Sequence, residues 1–296
     1  MSNKTLQAHL AVLIANFFFG VSVVAVKYLS PSVMAPLALN ALRVSIALPL
    51  FWILFLLKPS RASIRKKDIP LFILCAATGI AINQILFIQG TSMTSAIHAA
   101  LLALGTPIAI TVIAAWLLKE KITIFKTLGL ILGISGAAIL ILIKSKADVD
   151  SNLIGDILII INAVSYAFYL VLVQPLMNTY KPVHVIRWVF LFGACIIIPL
   201  GFKDTMQIQW NAFEWYHWVS LAFVVIGSTF LSYLFIVYGV SVLGSTITGT
   251  YIYTQPVFAT ITSIILFQEK LTIIKIVAAI LIFTGVFLVN RKKLDS

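Results

Sequence analysis

The chain reads Glu-Lys-Ile-Thr-Ile-Phe-Lys at residues 120–126 and Glu-Lys-Leu-Thr-Ile-Ile-Lys at residues 269–275, an offset of 149 with five of seven positions identical. The same offset places Gly90 on Gly239, Ser92 on Ser241, Pro107 on Pro256, Thr111 on Thr260, Leu117 on Leu266 and Gly136 on Gly285 without a gap. Two copies of one unit therefore follow each other, and such a repeat constrains the fold before any local signal does. We place the first copy at residues 1–145 and the second at residues 146–296.

Each copy is strongly apolar. Hydrophobic residues fill 61% of the 296 positions and charged residues 10%, with a mean hydropathy of +1.09. Soluble domains are roughly 45–50% apolar and about 25% charged, and an excess this large leaves more apolar surface than a core absorbs. The class is an integral membrane protein. The net charge of +12 does not indicate a nucleic-acid surface, because the basic residues sit in short loops between apolar runs. Cys75 and Cys195 each lie inside an apolar run, so neither a disulfide framework nor a thiol site is indicated. No cofactor or metal is expected, since His9, His98, His184 and His217 show no ligand spacing.

Ten stretches have about the 18–25 residues that a helix needs to cross a hydrocarbon core: 6–29, 34–57, 69–90, 97–118, 125–143, 153–177, 183–202, 213–239, 245–267 and 273–290. The first aligns with a run in the second copy, which marks it as a retained helix and not a cleaved signal peptide. Helices are required because backbone groups in lipid must be satisfied within the segment or in a closed barrel, and no barrel-like alternation appears. With the N-terminus in the cytoplasm, fourteen loop Lys and Arg lie inside and five outside. The positive-inside rule therefore puts both termini in the cytoplasm. Five helices per copy is an odd number, so the second copy enters the membrane upside down. The expectation is an all-α protein of ten transmembrane helices in two inverted five-helix repeats, with a substrate site between them.

Several motifs resemble the drug/metabolite transporter superfamily, EamA type. Helix 1 carries Ala15-Asn16-Phe17-Phe18-Phe19-Gly20 with Lys27 seven residues after the glycine, and helix 2 has Pro36 and Arg43. Helices 4 and 9 contain Pro107 and Pro256, each followed by an acidic residue, Glu120 or Glu269, and helix 6 has Ser165-Tyr166-Ala167-Phe168-Tyr169. The chain departs from the family pattern at Phe19, where Trp is usual, and at Lys119 and Gln268, where glycine precedes the acidic residue. The resemblance implies a cell-membrane permease that exports or exchanges small metabolites such as amino acids by alternating access.

Among candidate binding residues, Arg43 stands out. It lies about 10 Å into helix 2 at 1.5 Å per residue, where a basic side chain costs roughly 2.5–3.5 kcal/mol near the centre of a span. It either faces the cavity and holds a carboxylate, or is tied structurally to carbonyls. Asn16, Asn83, Gln84, Tyr166, Tyr233, Tyr251 and Gln255 are the other expected substrate contacts, because they are polar or aromatic groups within apolar helices. The alternative for each is interhelical hydrogen bonding. Pro107 and Pro256 should interrupt their helices. Lys27 reads as an interface snorkeller and Arg187 as an anchor near the inner surface. No Asp or Glu falls in the middle of a span, which suits a facilitator or exchanger better than a proton-coupled pump. His98 is the one histidine placed to titrate within the membrane, although a structural hydrogen-bonded role is the simpler one. Gly129, Gly133 and Gly136 line one face of helix 5, for close packing within the chain or for a homodimer.

Two other classes compete with a transporter. A membrane-embedded enzyme acting on a lipid-linked or apolar substrate needs convergent acids, nucleophiles or metal ligands, which the sequence does not supply. A receptor or scaffold leaves the duplication unexplained. Topology is directly testable by labelling single cysteines in a variant without the native two. Residue 148 should react from outside intact cells and residue 63 only after permeabilisation; the reverse pattern overturns the orientation.

Overall fold

The computed structural model describes residues 3–57, 63–117, 124–142 and 152–290. Glu120 and several loop cations of the charge count (Lys58, Arg61, Lys119, Lys121, Lys144, Lys146 and residues 291–293) lie outside the described residues. All regular structure among the described residues is helical. The ten spans are α1 (Asn3–Leu29), α2 (Pro36–Leu57), α3 (Lys66–Met93), α4 (Ala96–Leu102 and Gly105–Leu117), α5 (Ile124–Leu142), α6 (Leu153–Met177), α7 (Pro182–Thr205), α8 (Trp215–Gly244), α9 (Ile247–Phe267) and α10 (Ile273–Asn290). Eight spans contain a stretch long and apolar enough to cross a membrane, and shorter apolar helices occur in α5 and α10.

Packing follows a two-fold pattern. α2 lies along α7, and α5 along α10, so corresponding helices of the two repeats pair with each other. α1 packs on α8 and α9, while α6 packs on α3 and α4, the exchanged version of the same contact. Five-helix repeats that pair in this reciprocal way form the inverted architecture expected from the odd helix number.

Both repeats interrupt the same two helices. α3 contains a π-helical segment at Ala77–Ala81, and α8 one at Phe223–Leu231; shifting the first by 149 lands inside the second. α4 breaks at Ala103 and Leu104 and restarts at Gly105, while α9 passes through a 3-10 turn at Tyr251–Thr254 and restarts at Gln255. Pro107 and Pro256 thus sit in the first turn of a restarted helix, where the missing N–H costs nothing. The breaks lie one turn ahead of the prolines that foretold them.

Small residues set the closest approaches. A Cβ on Gly285 would lie 2.5 Å from the Gly133 nitrogen and 2.6 Å from the Gly129 oxygen, and one on Gly136 would lie 2.9 Å from the Ala278 oxygen. The glycine stripe of α5 is therefore used against α10 inside the chain. Gln268 ends α9 with φ of 53°, a left-handed position that glycine ordinarily fills. This is the position where the family pattern has glycine, so the departure carries backbone strain. Gly285→Ala should push α5 and α10 apart and cost about 1–3 kcal/mol. Gly105→Ala, whose Cβ would meet only Ala163 at 3.8 Å, should be tolerated. Thermal unfolding in detergent checks the pair, with a lowered midpoint expected for the first alone.

Candidate functional site

The interruptions of α3, α4, α8 and α9 surround one polar cavity of about 60 Å³, room for about four to six waters at roughly 10–15 Å³ each. Larger clefts exist, one of about 450 Å³ between α4, α5 and α6 and one of about 530 Å³ between α4, α9 and α10. The first is lined by apolar residues throughout and the second by apolar residues with Thr260, Lys275 and Thr284, linings that suit lipid chains better than an oriented solute. The smaller cavity is where chemistry converges.

Its polar lining comprises Arg43 from α2, Asn83 and Gln84 from α3, Thr106 from α4, Asn162 and Tyr166 from α6, Ser228 and Tyr233 from α8 and Gln255 from α9. Phe19, Phe87, Ala103 and Ile252 complete the wall. Three lining pairs are repeat counterparts at the 149 offset: Gln84 with Tyr233, Ala103 with Ile252, and Thr106 with Gln255. Thr106, Asn162 and Ser228, with the wall residues Phe87, Ala103 and Ile252, are not among the expected contacts; Ser228 lies within the π segment of α8, a break that no proline or charge announces.

Carbonyls at the π segment of α3 are met by side chains from the opposite repeat, and those of α8 by side chains of α8 itself. Ser165 Oγ donates to the Thr78 oxygen at 2.7 Å, and Asn162 Nδ2 to the Asn83 oxygen at 2.7 Å. The Tyr233 hydroxyl reaches both the Gly79 oxygen at 3.0 Å and Asn83 Oδ1 at 3.2 Å. On the other side, Ser232 Oγ donates to the Gly227 oxygen at 2.9 Å and reaches the Ala15 oxygen at 3.2 Å. Each bond removes an exposed backbone acceptor that hydrocarbon could not satisfy.

Arg43 is 2% exposed. Its Nε donates to Thr229 Oγ1 at 2.9 Å, and the Thr229 hydroxyl in turn donates to the Val224 oxygen at 2.7 Å. Nη1 is buried and finds no hydrogen-bond partner among the described residues. The Tyr166 hydroxyl and both amide atoms of Gln84 are in the same condition. Gln84 borders the Tyr233 hydroxyl, yet neither amide atom reaches hydrogen-bond geometry. Tyr166 is held in place by stacking on Tyr169 at 5.9 Å and by an edge contact with Phe19 at 6.5 Å.

Two expected contacts lie elsewhere. Asn16 does not line the cavity; fully buried, it accepts a 2.6 Å bond from Gln255 Nε2 and donates to the Val12 oxygen at 2.7 Å, so it orients a lining side chain. Tyr251 bonds His9 Nδ1 through its hydroxyl at 2.7 Å, outside the cavity lining. It sits a turn before Gln255 in α9, and the 3-10 geometry there rotates it off the lining face.

Three ionisable residues lie outside the cavity lining, His98 in the structural setting expected of it and Lys27 and Arg187 with partners that the sequence did not indicate. Lys27 Nζ donates to the Thr94 oxygen at 2.8 Å and so ties α1 to the corner between α3 and α4. Arg187 is buried, bonded to His184 Nδ1 at 2.8 Å and set over the Trp52 ring at 5.0 Å. His98 and Asp156, each 1% exposed, face each other at 3.5 Å, with Thr94 donating to the other Asp156 oxygen at 2.5 Å. Close by, the Glu269 carboxylate accepts from the Ala96 and Ile97 N–H groups at 2.9 and 3.3 Å. It caps the positive end of α4 from the other repeat, which gives this copy of the repeated acidic motif a structural role.

The model of the EamA-like transporter family matches the chain twice, over residues 6–142 and 153–291. An uncharacterized transporter of Archaeoglobus fulgidus is 24% identical over 93% of this chain and 96% of its own. Uncharacterized transporter YetK of Bacillus subtilis is 22% identical over 98% of this chain and 88% of its own. A probable terminal-alkyne amino-acid exporter of Streptantibioticus cattleyicolor is 28% identical over 78% of this chain and 76% of its own. The chain is also similar in fold to a protein of known crystal structure, with a TM-score of 0.65 at 15% identity, covering 98% of this chain and 97% of the other.

The His98–Asp156 contact should behave as one unit. Asp156→Ala leaves the Thr94 hydroxyl and the imidazole facing an apolar gap, at a cost of about 1–3 kcal/mol. In a double-mutant cycle with His98→Ala, the two losses should fall short of additivity. Strictly additive shifts in unfolding midpoint would show that the contact contributes nothing.

Proposed function

The chain belongs to the EamA-like transporter family, and from that premise we propose that it carries small organic solutes bearing a carboxylate, through the cavity between its repeats. The observation that carries this reading is Arg43: a buried guanidinium on the cavity wall with one hydrogen-bonding nitrogen unmatched. The paired oxygens of a carboxylate match the parallel N–H groups of a guanidinium, and a carboxylate is smaller than the phosphate group that pairs in the same way. The amino-acid cargo named for one relative is one class of such solutes.

The repeats at 1–145 and 146–296 supply the moving parts. Rocking one against the other opens the cavity first to one face and then to the other. Its volume of about 60 Å³ corresponds to a closed form, which must widen to admit anything larger than a few waters. We place the protein in the cell membrane with both termini cytoplasmic, export as the physiological direction, and cargo movement independent of protons, since none of the described carboxylates lines the cavity. The enzyme alternative is disfavoured by the same lining, where no acid–base pair or nucleophile with an adjacent base converges.

Transport by purified protein in sealed proteoliposomes tests the reading. Arg43→Gln should lower the rate for carboxylate solutes at least tenfold while leaving the yield of monodisperse protein within twofold of the unsubstituted chain. Arg43→Lys should retain part of the rate. Unchanged carboxylate transport by folded Arg43→Gln protein would overturn the assignment.

A further inference from the structure

The cavity holds a charge that nothing in its wall balances. Arg43 is the one basic residue of the lining, and no Asp or Glu among the described residues joins it. The nearby carboxylates are engaged elsewhere: Asp156 by His98 and Thr94, and Glu269 by the first turn of α4. Thr229, which accepts from the guanidinium, is neutral. A buried cation without a counter-ion is costly in a low-dielectric site, and an anion of single charge removes that cost where a net-neutral ligand does not.

From this we propose that the cargo is a monoanion, a small organic acid with one carboxylate, a neutral α-substituent and no ammonium group. The inference rests on the cavity being the cargo site and narrows it. An amino acid whose carboxylate sits on Arg43 necessarily brings its ammonium to within a few ångströms of the same guanidinium. The lining offers that ammonium only neutral oxygens, so like-charge repulsion discriminates against it. A hydroxyl or keto oxygen at the same carbon meets a different environment. The Gln84 amide supplies both a donor and an acceptor and the Tyr166 hydroxyl supplies either, and these are the neutral groups left unmatched beside Arg43. Phe19 and Phe87 form apolar wall for the rest of the solute, and the limited space favours a short body.

Matched solutes separate the possibilities. The probes are lactate, 2-hydroxyisocaproate and 3-phenyllactate, against alanine, leucine and phenylalanine, which share their skeletons. Each is tested for uptake into proteoliposomes and for raising the unfolding midpoint of the detergent-purified protein. In at least one pair the hydroxy acid should be carried at least tenfold faster and should stabilise the protein at lower concentration. That preference should persist, weakened, in Arg43→Lys and vanish in Arg43→Gln. Amino acids carried as well as or better than their hydroxy acids, with Arg43-dependent rates, would overturn the monoanion and leave the cavity reading standing. Transport and stabilisation insensitive to Arg43→Gln, or shown by no member of either set, would overturn both. If Arg43→Gln does not fold, the comparison in the unsubstituted protein decides the monoanion and Arg43→Lys decides the site.

Discussion

A backbone group in hydrocarbon has no water to bond, so every interruption of a helix must be answered by something inside the protein. Here the interruptions come in corresponding pairs, π turns in α3 and α8 and breaks in α4 and α9. At the π turn of α3 the answer comes from the other repeat, and at that of α8 from Thr229 and Ser232 of the same helix. Ser165, Asn162 and Tyr233 bond carbonyls of α3, and Ser232 of α8 reaches the Ala15 carbonyl of α1. The two halves are therefore held together by polar groups at the same level where each is locally weakest. A cavity lined by polar atoms is a geometric result of that arrangement, because residues recruited to answer broken helices must converge where the breaks are.

Two of the buried polar clusters among the described residues differ in how their charged groups are met. Around Asp156, His98 and Thr94 supply partners for both carboxylate oxygens, with Glu269 and Lys27 binding backbone groups beside them. These contacts tie together the corner of α1, α3, α4 and α6, although the 3.5 Å approach of His98 Nδ1 to Asp156 Oδ2 falls short of hydrogen-bond geometry. Around Arg43 one hydroxyl answers one nitrogen. A basic residue at the centre of a span costs roughly 2.5–3.5 kcal/mol, which a single hydrogen bond to a charged group, about 1.5–3 kcal/mol, offsets in large part while Nη1 stays unmatched. Asp156 thus has a side-chain contact at each oxygen, while Arg43 keeps one buried nitrogen unmatched beside the cavity.

Much of this was legible in the sequence, for identifiable reasons. The repeat, the span number and the inversion rest on periodicity and length, which survive in any register. Arg43, Asn83, Gln84, Tyr166, Tyr233 and Gln255 were found because a polar side chain within an apolar helix must turn away from lipid, and the cavity is one of few places to turn. Asn16 and Tyr251 satisfy the same condition without lining the cavity, since an interhelical bond serves equally well. The partners of Lys27, Arg187 and His98 could not be read. Lys27 meets a carbonyl 67 residues away and His98 meets a carboxylate on α6, and no local pattern encodes such a pairing. The π turns were also invisible, because Ala77–Ala81 and Phe223–Leu231 contain no proline to mark them.

Duplication explains the frame and not the site. Shifted by 149, glycine falls on glycine at 90 and 239 and proline on proline at 107 and 256, and the π turns and helix breaks coincide. The loop charges Glu120/Glu269, Lys121/Lys270 and Lys126/Lys275 repeat, whereas the ionisable residues within the helices do not: Arg43 falls on Phe192, Lys27 on Leu176, His98 on Ile247 and Asp156 on Gln7. Close helix approach and satisfied backbone breaks are needed twice, once in each half, so the residues that provide them stay paired. A ligand shared between the halves needs its anchoring charge once, because a second guanidinium in the same small cavity would repel the first at short range. Arg43 lines the cavity while its counterpart Phe192 packs against Trp188 outside the lining, so the two-fold frame presents a guanidinium to the cavity from one half and none from the equivalent position of the other.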